Sequence, residues 1–333
     1  MPSYIAFKGV PNDYPKKSTL SRPDVLTSDY VLLKVTASGL CGTDLHYRHA
    51  DMVLGHEGVG IVEELGPDAK HLKKGDRVGW GYATDSCRNC IECLQGTEVF
   101  CPERALYGTA NLDQGSFASH AVFREAFLHK IPDSISDEAA APLQCGGATV
   151  YTALTDSAKP NETVGIMGVG GLGHLAIQFA AKMGCRVVVL SGSDSKKEEA
   201  TRLGAHYFVA TKGKSAADLK DVPKISRLIV TTAAQPAWDT ILPMMAPGSR
   251  IYPLTVSPHN LEVPYMPLIL TGISIVGSLV ANRPTHRRML DFAALHNIKP
   301  VTETYPMTEE GIKTAIQNLE NGKVHFRAVL LPQ

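Results

Sequence analysis

The sequence predicts an α/β protein in which a doubly wound parallel sheet is joined to a mostly β domain. Three observations predict it. The chain has 333 residues, beyond the roughly 250–300 at which a single hydrophobic core stops growing, so two domains are expected. Up to about residue 145, short runs of strand-forming residues are separated by turn residues. From Thr149 onward strand-like and helix-like runs alternate, which implies parallel strands covered by helices on both faces.

In the first part, Tyr30–Ala37 (YVLLKVTA), Gly58–Leu65 (GVGIVEEL) and Asp76–Trp80 (DRVGW) read as strands, and Gly66-Pro67-Asp68 and Lys74-Gly75-Asp76 as turns. In the second, Thr163–Met167 is a strand and Gly171–Gly184 a helix, with Leu175, Ile177, Phe179 and Met183 on an apolar face. Arg186–Leu190 (strand), Lys196–Leu203 (helix) and Arg227–Thr232 (strand) continue the alternation, and Ile251–Leu254 and Ile273–Gly277 add strands. Further on, helices are expected at Pro284–His296 and Glu309–Asn321 and a strand at His325–Leu331.

Hydrophobic residues make up 44% and charged residues 20%, an ordinary globular balance. Lys+Arg and Asp+Glu both number 33, so the formal net charge is zero and neither nucleic acid nor an anionic membrane is an expected partner. No apolar run approaches the ~18 residues of a membrane span. Met1 to Val10 has no apolar core behind a basic start, so the expected location is the cytoplasm. Seven cysteines, an odd number with four crowded into Cys87–Cys101, read as metal ligands rather than disulfides.

Gly168-Val169-Gly170-Gly171-Leu172-Gly173 fits G-x-G-x-x-G. A strand (TVGIM) precedes it, a helix opens on it and another strand follows, the context of the phosphate turn in a Rossmann domain. Gly168 permits the tight turn, Gly170 lets the backbone approach a pyrophosphate, and Gly173 lets helix and strand pack closely. Gly171 and Leu172 complete the turn at the helix N-terminus, whose unpaired N–H groups suit phosphates. NAD-preferring turns carry an acid at the end of the second strand; here that position is Ser191. Its short side chain leaves room for a 2′-phosphate, Ser193 can donate to it, and Lys196 and Lys197 supply positive charge, so NADP(H) is the expected cofactor. Asp194 is the competing feature. It reads as part of the next helix's first turn, where Ser195-x-x-Glu198 has the form of a capping box.

Cys87-x2-Cys90-x2-Cys93-x7-Cys101 puts four thiolates in a stretch that one tight loop can fold around a tetrahedral Zn²⁺. Such a site is closed, hence structural. Cys41, His56 and Cys145 would make a three-ligand set with a fourth position open to water or an alcohol. Cys185 begins an apolar strand and reads as an inert core thiol.

The motifs run in the order CGTD (41–44), GHEGVG (55–60), GDRVG (75–79), the four cysteines, APLQCGGATVYTAL (141–154) and GVGGLG (168–173). Over nearly the whole chain they resemble the zinc-containing medium-chain alcohol dehydrogenases, most of all the NADP-dependent, cinnamyl-alcohol-type branch. The resemblance implies a mostly β, GroES-like catalytic domain at 1–147, with 281–333 returning to it, and a Rossmann domain at 148–280. It implies two zinc ions per chain, a catalytic one on Cys41, His56 and Cys145 with Glu57 as alternate ligand or neighbour, and a structural one on the four-cysteine lobe. By the same resemblance Thr43 takes the substrate proton, His46 passes it to solvent, Asp44 orients His56, and Arg327 reaches the cofactor pyrophosphate from the other domain. The implied activity is hydride transfer between NADP(H) and a small-molecule primary alcohol or aldehyde, allylic, aromatic or medium-chain, by a homodimer or homotetramer. Trp80 and Tyr82 are the pocket candidates. The alternative is a zinc-independent enoyl or quinone reductase of the same superfamily, which would need neither ligand set. Cys41 and His56 are fifteen residues apart, fewer than is usual in the family, so the segment 46–53 that normally helps wall the substrate cleft is short.

Overall fold

The computed structural model describes residues 3–156, 158–257 and 259–333. Their contacts define two compact units: Met1–Ala148 with Val280–Gln333, and the inserted Thr149–Leu279.

The first unit opens with an antiparallel hairpin, β1 (Ser3–Val10) and β2 (Asp13–Ser21). β3 (Tyr30–Leu40) leads into the short helix α1 (Gly42–Tyr47), then β4 (Glu57–Leu65) and β5 (Arg77–Trp80). A small ribbon of β6 (Ala83–Asp85) and β7 (Ala105–Leu106) brackets the four-cysteine lobe, which contains the turn α2 (Ile91–Leu94) and a 3-10 turn, Glu98–Phe100. β8 (His120–Arg124), β9 (His129–Lys130) and α3 (Asp137–Pro142) follow. Ser136 caps α3, its hydroxyl accepting from Ala139 N. The helix then widens into a π turn, Leu143–Gly147, a geometry that is rare and concentrates at functional sites.

The inserted unit runs α4 (Ala148–Thr155), β10 (Thr163–Met167), α5 (Gly173–Lys182), β11 (Arg186–Ser191), α6 (Lys197–Leu203), β12 (Tyr207–Ala210), β13 (Ile225–Val230), α7 (Trp238–Ile241), β14 (Met245–Pro253), α8 (Tyr265–Thr271) and β15 (Ser274–Ile275). Its strands are parallel, in the spatial order β12-β11-β10-β13-β14-β15. The order reverses between β10 and β13, and such a switch point is where open α/β sheets bind ligands. Every residue of β10 is buried, as covering both faces of a sheet requires. The sequence reading missed β12 and α8. β12 fully buries one of its four side chains and α8 none, so neither has the inward periodicity that marks an element.

α9 (Arg283–His296), β16 (Thr302–Pro306), α10 (Glu309–Glu320) and β17 (Arg327–Leu331) return to the first unit. β17 pairs antiparallel with β3, Ala328 opposite Leu40 and Leu330 opposite Ser38, giving the path β16-β17-β3-β4-β5-β9 with β8 also on β3. Leu33, Val35, Leu40, Trp80, Ile312 and Leu330 lie in the core of this unit. Among the described residues no helix is long and apolar enough to cross a membrane.

Candidate active site and metal centres

β3 leads directly into Cys41, the N-cap of α1. Its Sγ accepts from Thr43 N at 3.3 Å, and Asp44 Oδ2 accepts from Cys41 N at 2.9 Å, a capping box in which a thiol replaces the hydroxyl. The cap therefore aims the sulfur. His56 stands just before β4 and Glu57 begins it, opposite Gly39 in register. A Cβ on Gly39 would lie 1.9 Å from Glu57 Oε2, so only glycine leaves the carboxylate its space. The π turn supplies Cys145. The ligand atoms of Cys41, His56, Glu57 and Cys145 lie within 4.8 Å of one another, and Cys41 Sγ is 3.2 Å from His56 Nε2. All seven cysteines are free of disulfides. Two thiols and an imidazole converging in a buried spot fit a zinc ion, whose preferred donors are sulfur and nitrogen.

The surroundings tune these ligands. His56 Nδ1 is 3.0 Å from Asp44 Oδ1, which puts the ring proton there and turns Nε2 toward the cluster. Tyr107 donates to the same Asp44 oxygen at 2.9 Å and accepts from Gly55 N at 3.0 Å. Burial opposes charge on His56, but Asp44 and Cys41 outweigh it and push its pKa well up; that proton is the one a metal must displace. The Cys145 thiol, by donating to Cys41, is the largest of the causes that hold Cys41 well below the usual thiol range. Arg327 lies on β17, and its Nη2 is paired with both oxygens of Glu57. Burial pushes Glu57 up to about 7 against the pull of Arg327.

Thr43 is half-buried in the first turn of α1, and His46, one turn on, is exposed. Tyr82 stands edge-on to His56 at 5.8 Å between ring centroids, with Tyr107 at 4.7 Å on the same imidazole and Tyr47 edge-on to Tyr107 at 5.4 Å. Trp80 corrects the sequence reading. It is no pocket wall: its ring fills the space over Gly58, 5.2 Å from Phe123, and is 1% exposed. The short segment 46–53 is tied to β1, through Gly9 N to Met52 O at 2.9 Å, Val10 N to Arg48 O at 3.1 Å and a Lys8–Asp51 ion pair at 2.6 Å.

In the lobe the sulfurs of Cys87, Cys90, Cys93 and Cys101 also lie within 4.8 Å of one another, with Cys87 Sγ 3.9 Å from Cys93 Sγ and 3.5 Å from Cys101 Sγ. These are the separations of thiolates about 2.3 Å from one tetrahedral zinc. Backbone N–H groups of Asn89 and Cys90 point at Cys87 and hold its thiol down to about 7.

In the inserted unit, Gly168 ends β10 at φ +97° and donates to Leu190 O at 2.9 Å. A Cβ on Gly173 would lie 2.0 Å from Gly168 O, whereas one on Gly170 would meet nothing within 4 Å. The turn is thus tight on its inner side and open at Gly170, the cradle a pyrophosphate needs. Ser191 is the last residue of β11. Lys196 reaches back, its Nζ donating to Val169 O at 2.8 Å, which sets its charge against the glycine turn. The capping box expected at Ser195 is absent. Ser195 lies inside a 3-10 turn, Asp194–Lys196, with its hydroxyl 2.9 Å from that of Ser193. Sequence reasoning also missed Tyr107, His129 and His286, which belong to no motif, and Gln144, which stands in the 141–154 motif but was given no role.

Residues 27–133 match the family model for an alcohol dehydrogenase GroES-like domain, and residues 171–294 that for a zinc-binding dehydrogenase. The chain is 37% identical over 311 residues to an alcohol dehydrogenase of Geobacillus stearothermophilus, covering 90% of this chain and 91% of that one. It is 34% identical over 329 residues to the NADP-dependent alcohol dehydrogenase C 1 of Mycolicibacterium smegmatis, covering 94% and 93%. A solved cinnamyl alcohol dehydrogenase from Sorghum bicolor is similar at a TM-score of 0.90 and 31% identity, over 99% of this chain and 97% of that one.

Proposed function

The chain belongs to the zinc-type alcohol dehydrogenase family, and we propose from this that it interconverts a primary alcohol and its aldehyde with NADP(H) as cofactor. The observation that carries the reading is the convergence of Cys41, His56 and Cys145 beside a separate, closed set of four cysteines. A zinc-independent reductase has no use for either set. When bound, zinc on the first set supplies Lewis acidity toward the substrate oxygen, and NADP(H) carries the hydride. The chain's own residues do the rest. Asp44 and Tyr107 fix the His56 tautomer, and the α1 cap fixes Cys41. Thr43 receives the substrate proton, and exposed His46 hands it to solvent. The tyrosines about His56 favour allylic, aromatic or medium-chain substrates. The preference for NADP(H) rests on the strand end at Ser191, which lacks a carboxylate, and on Lys196 beside the glycine turn; Ser193 is assigned to the same phosphate. The relative named NADP-dependent supports that assignment.

Metal content and cofactor use test the proposal together. The purified protein should carry two zinc ions per chain and oxidise NADPH, much faster than NADH, on addition of an aldehyde such as cinnamaldehyde or hexanal. Ser191→Asp should narrow or reverse that ratio. A protein that binds two zinc ions but turns over no aldehyde or alcohol with either cofactor sinks the reading; a native preference for NADH moves the ribose contact to Asp194. We assign self-association to α8 and the edge strand β15. Tyr265, Met266, Ile269 and Leu270 are between 59% and 81% exposed there, an apolar patch that a second copy would cover. Sedimentation of a Leu270→Glu variant should report a smaller species.

A further inference from the structure

The first turn of α9 reaches the supports of both metal clusters. Arg283 donates from its backbone N at 2.5 Å and from Nε at 3.2 Å to Glu98 Oε1. Glu98 is 1% exposed and sits in the lobe between Cys93 and Cys101. One turn on, His286 Nε2 is 2.9 Å from Gln144 Oε1, and Gln144 Nε2 donates to Ala140 O at 2.9 Å. With its amide so oriented, Gln144 presents an acceptor, so His286 donates from Nε2. Gln144 immediately precedes Cys145 in the π turn. The site is built to hold both the side-chain amide and the backbone carbonyl of Gln144. A Cβ on Gly79 would lie 2.4 Å from Gln144 Cδ, and one on Gly81 2.5 Å from Gln144 O. His129, from β9, stacks on His286 at 4.0 Å between centroids and 21° between planes. Asn282 caps the helix and fixes its start, accepting from Thr285 N at 2.8 Å.

Apolar packing would hold these elements at a distance but leave rotation about the turn loosely defined. A buried hydrogen bond is directional and costly to leave unmade. We infer that His286 and Gln144 are positioning residues for Cys145, and that the Glu98–Arg283 contact makes α9 a strut tying the catalytic cysteine to the four-cysteine lobe. The activity arm of the test rests on the zinc-enzyme reading; the metal-release arm does not.

The test uses the full-length, zinc-loaded protein and a colorimetric chelator that reports the release of each zinc. Cys145→Ser identifies the phase that belongs to the catalytic cluster. His286→Leu and Gln144→Met each delete the bond from one side, and His286→Gln keeps an N–H donor. In His286→Leu and Gln144→Met, catalytic zinc should leave about tenfold faster, the low end for outer partners of a metal ligand, with lobe zinc unchanged. The visible bands of Co²⁺ placed in the catalytic cluster should shift. Turnover should fall by a similar factor with the aldehyde KM little changed, and His286→Gln should recover most of each effect. Glu98→Gln changes only the side chain that accepts from Arg283 and keeps the backbone bond from Cys101 N; it should speed release of both metals. Wild-type release and cobalt spectra in folded His286→Leu or Gln144→Met overturn the strut and leave the enzyme reading intact. A wild type that binds zinc without any dehydrogenase activity does the reverse.

Discussion

The two metal-ligand clusters are built in opposite ways. The lobe gathers four sulfurs from fifteen consecutive residues and steadies them with neighbouring backbone N–H groups. Two of its cysteines remain partly exposed. The other cluster draws on the end of β3, the start of β4 and the π turn. Its support comes from Asp44, Tyr107 and Arg327 at long sequence separation, almost all of it buried. A local loop can form a closed site by itself. A site that must keep a position open for substrate needs a rigid frame to hold its ligands apart, and here that frame is the sheet of the whole first unit.

The harshest test of this contrast swaps one sulfur in each cluster. Cys145→Ser should lower kcat by roughly 10³-fold, since Lewis-acid stabilisation is worth several kcal/mol, with little change in melting temperature. Cys87→Ser should leave measurable turnover but lower the melting temperature by about 5–10 °C, because a closed zinc site contributes folding energy. Thermal melts and steady-state kinetics on both variants check the pair, and the opposite pattern would mean the roles are exchanged.

Thr43→Val probes the open site more finely. The backbone N–H of residue 43 still caps Cys41 Sγ, so only the hydroxyl is lost. Turnover should fall by roughly 10²-fold, the scale of one general acid–base group. Near-normal turnover in an assay limited by hydride transfer would remove Thr43 from the proton path.

Tyr107→Phe deletes the hydroxyl that donates to Asp44 and accepts from Gly55. The catalytic cluster should lose zinc about tenfold faster, by analogy with other partners of a ligating histidine. The lobe should be untouched, because its sulfurs have no link to this hydroxyl. Equal acceleration at both clusters, measured by chelator competition, would contradict the separation.

The last effect is a pH dependence of stability confined to the frame behind the open site. Burial, aided by Arg287, pushes His286 down from 6.5 to about 3. Arg283 lies in the same turn, and Glu98 and His129 line the same small cavity. The unfolded chain therefore takes up a proton near pH 6.5 that the folded chain refuses until about pH 3. The stabilisation from keeping His286 neutral is complete above 6.5 and is lost as pH falls toward 3, at no more than about 1.4 kcal/mol per pH unit. His286→Gln should flatten the stability–pH curve in that window; an unchanged slope in denaturant titrations would show that His286 already takes a proton in the folded state.

What the sequence revealed follows the same division. The lobe was legible because all four ligands fall within one short stretch. The glycine turn was legible because the strand before it and the helix after it are adjacent in the chain. Tyr107 and Asp44 are 63 residues apart, and His286 and Gln144 are 142 apart. Only the folded sheet makes such pairs neighbours, and nothing in the local pattern of either residue announces its partner. Trp80 misled because an aromatic residue beside a ligand-rich segment suggests a pocket, whereas the absence of a side chain at Gly58 draws the indole into the core. Ser195-x-x-Glu198 misled because the helix begins one residue later than the motif implies, with Lys196 rather than Ser195 at the N-cap.

The pairing of β17 with β3 has a consequence for biosynthesis. The strand that lies beside the Cys41 end of β3 is translated some 290 residues after it, with the entire inserted unit in between. During that interval β3 exposes an unpaired edge, the kind of surface on which nascent chains misassociate. The inserted unit is continuous in sequence and can fold while it is still tethered to the ribosome. A chain released prematurely, before residue 327, would therefore present an intact dinucleotide fold joined to a first unit that lacks the arginine opposite Glu57. Such a fragment would leave the Cys41 end of β3 unpaired, so the edge of β3, rather than the inserted unit, is the surface that marks the chain as unfinished.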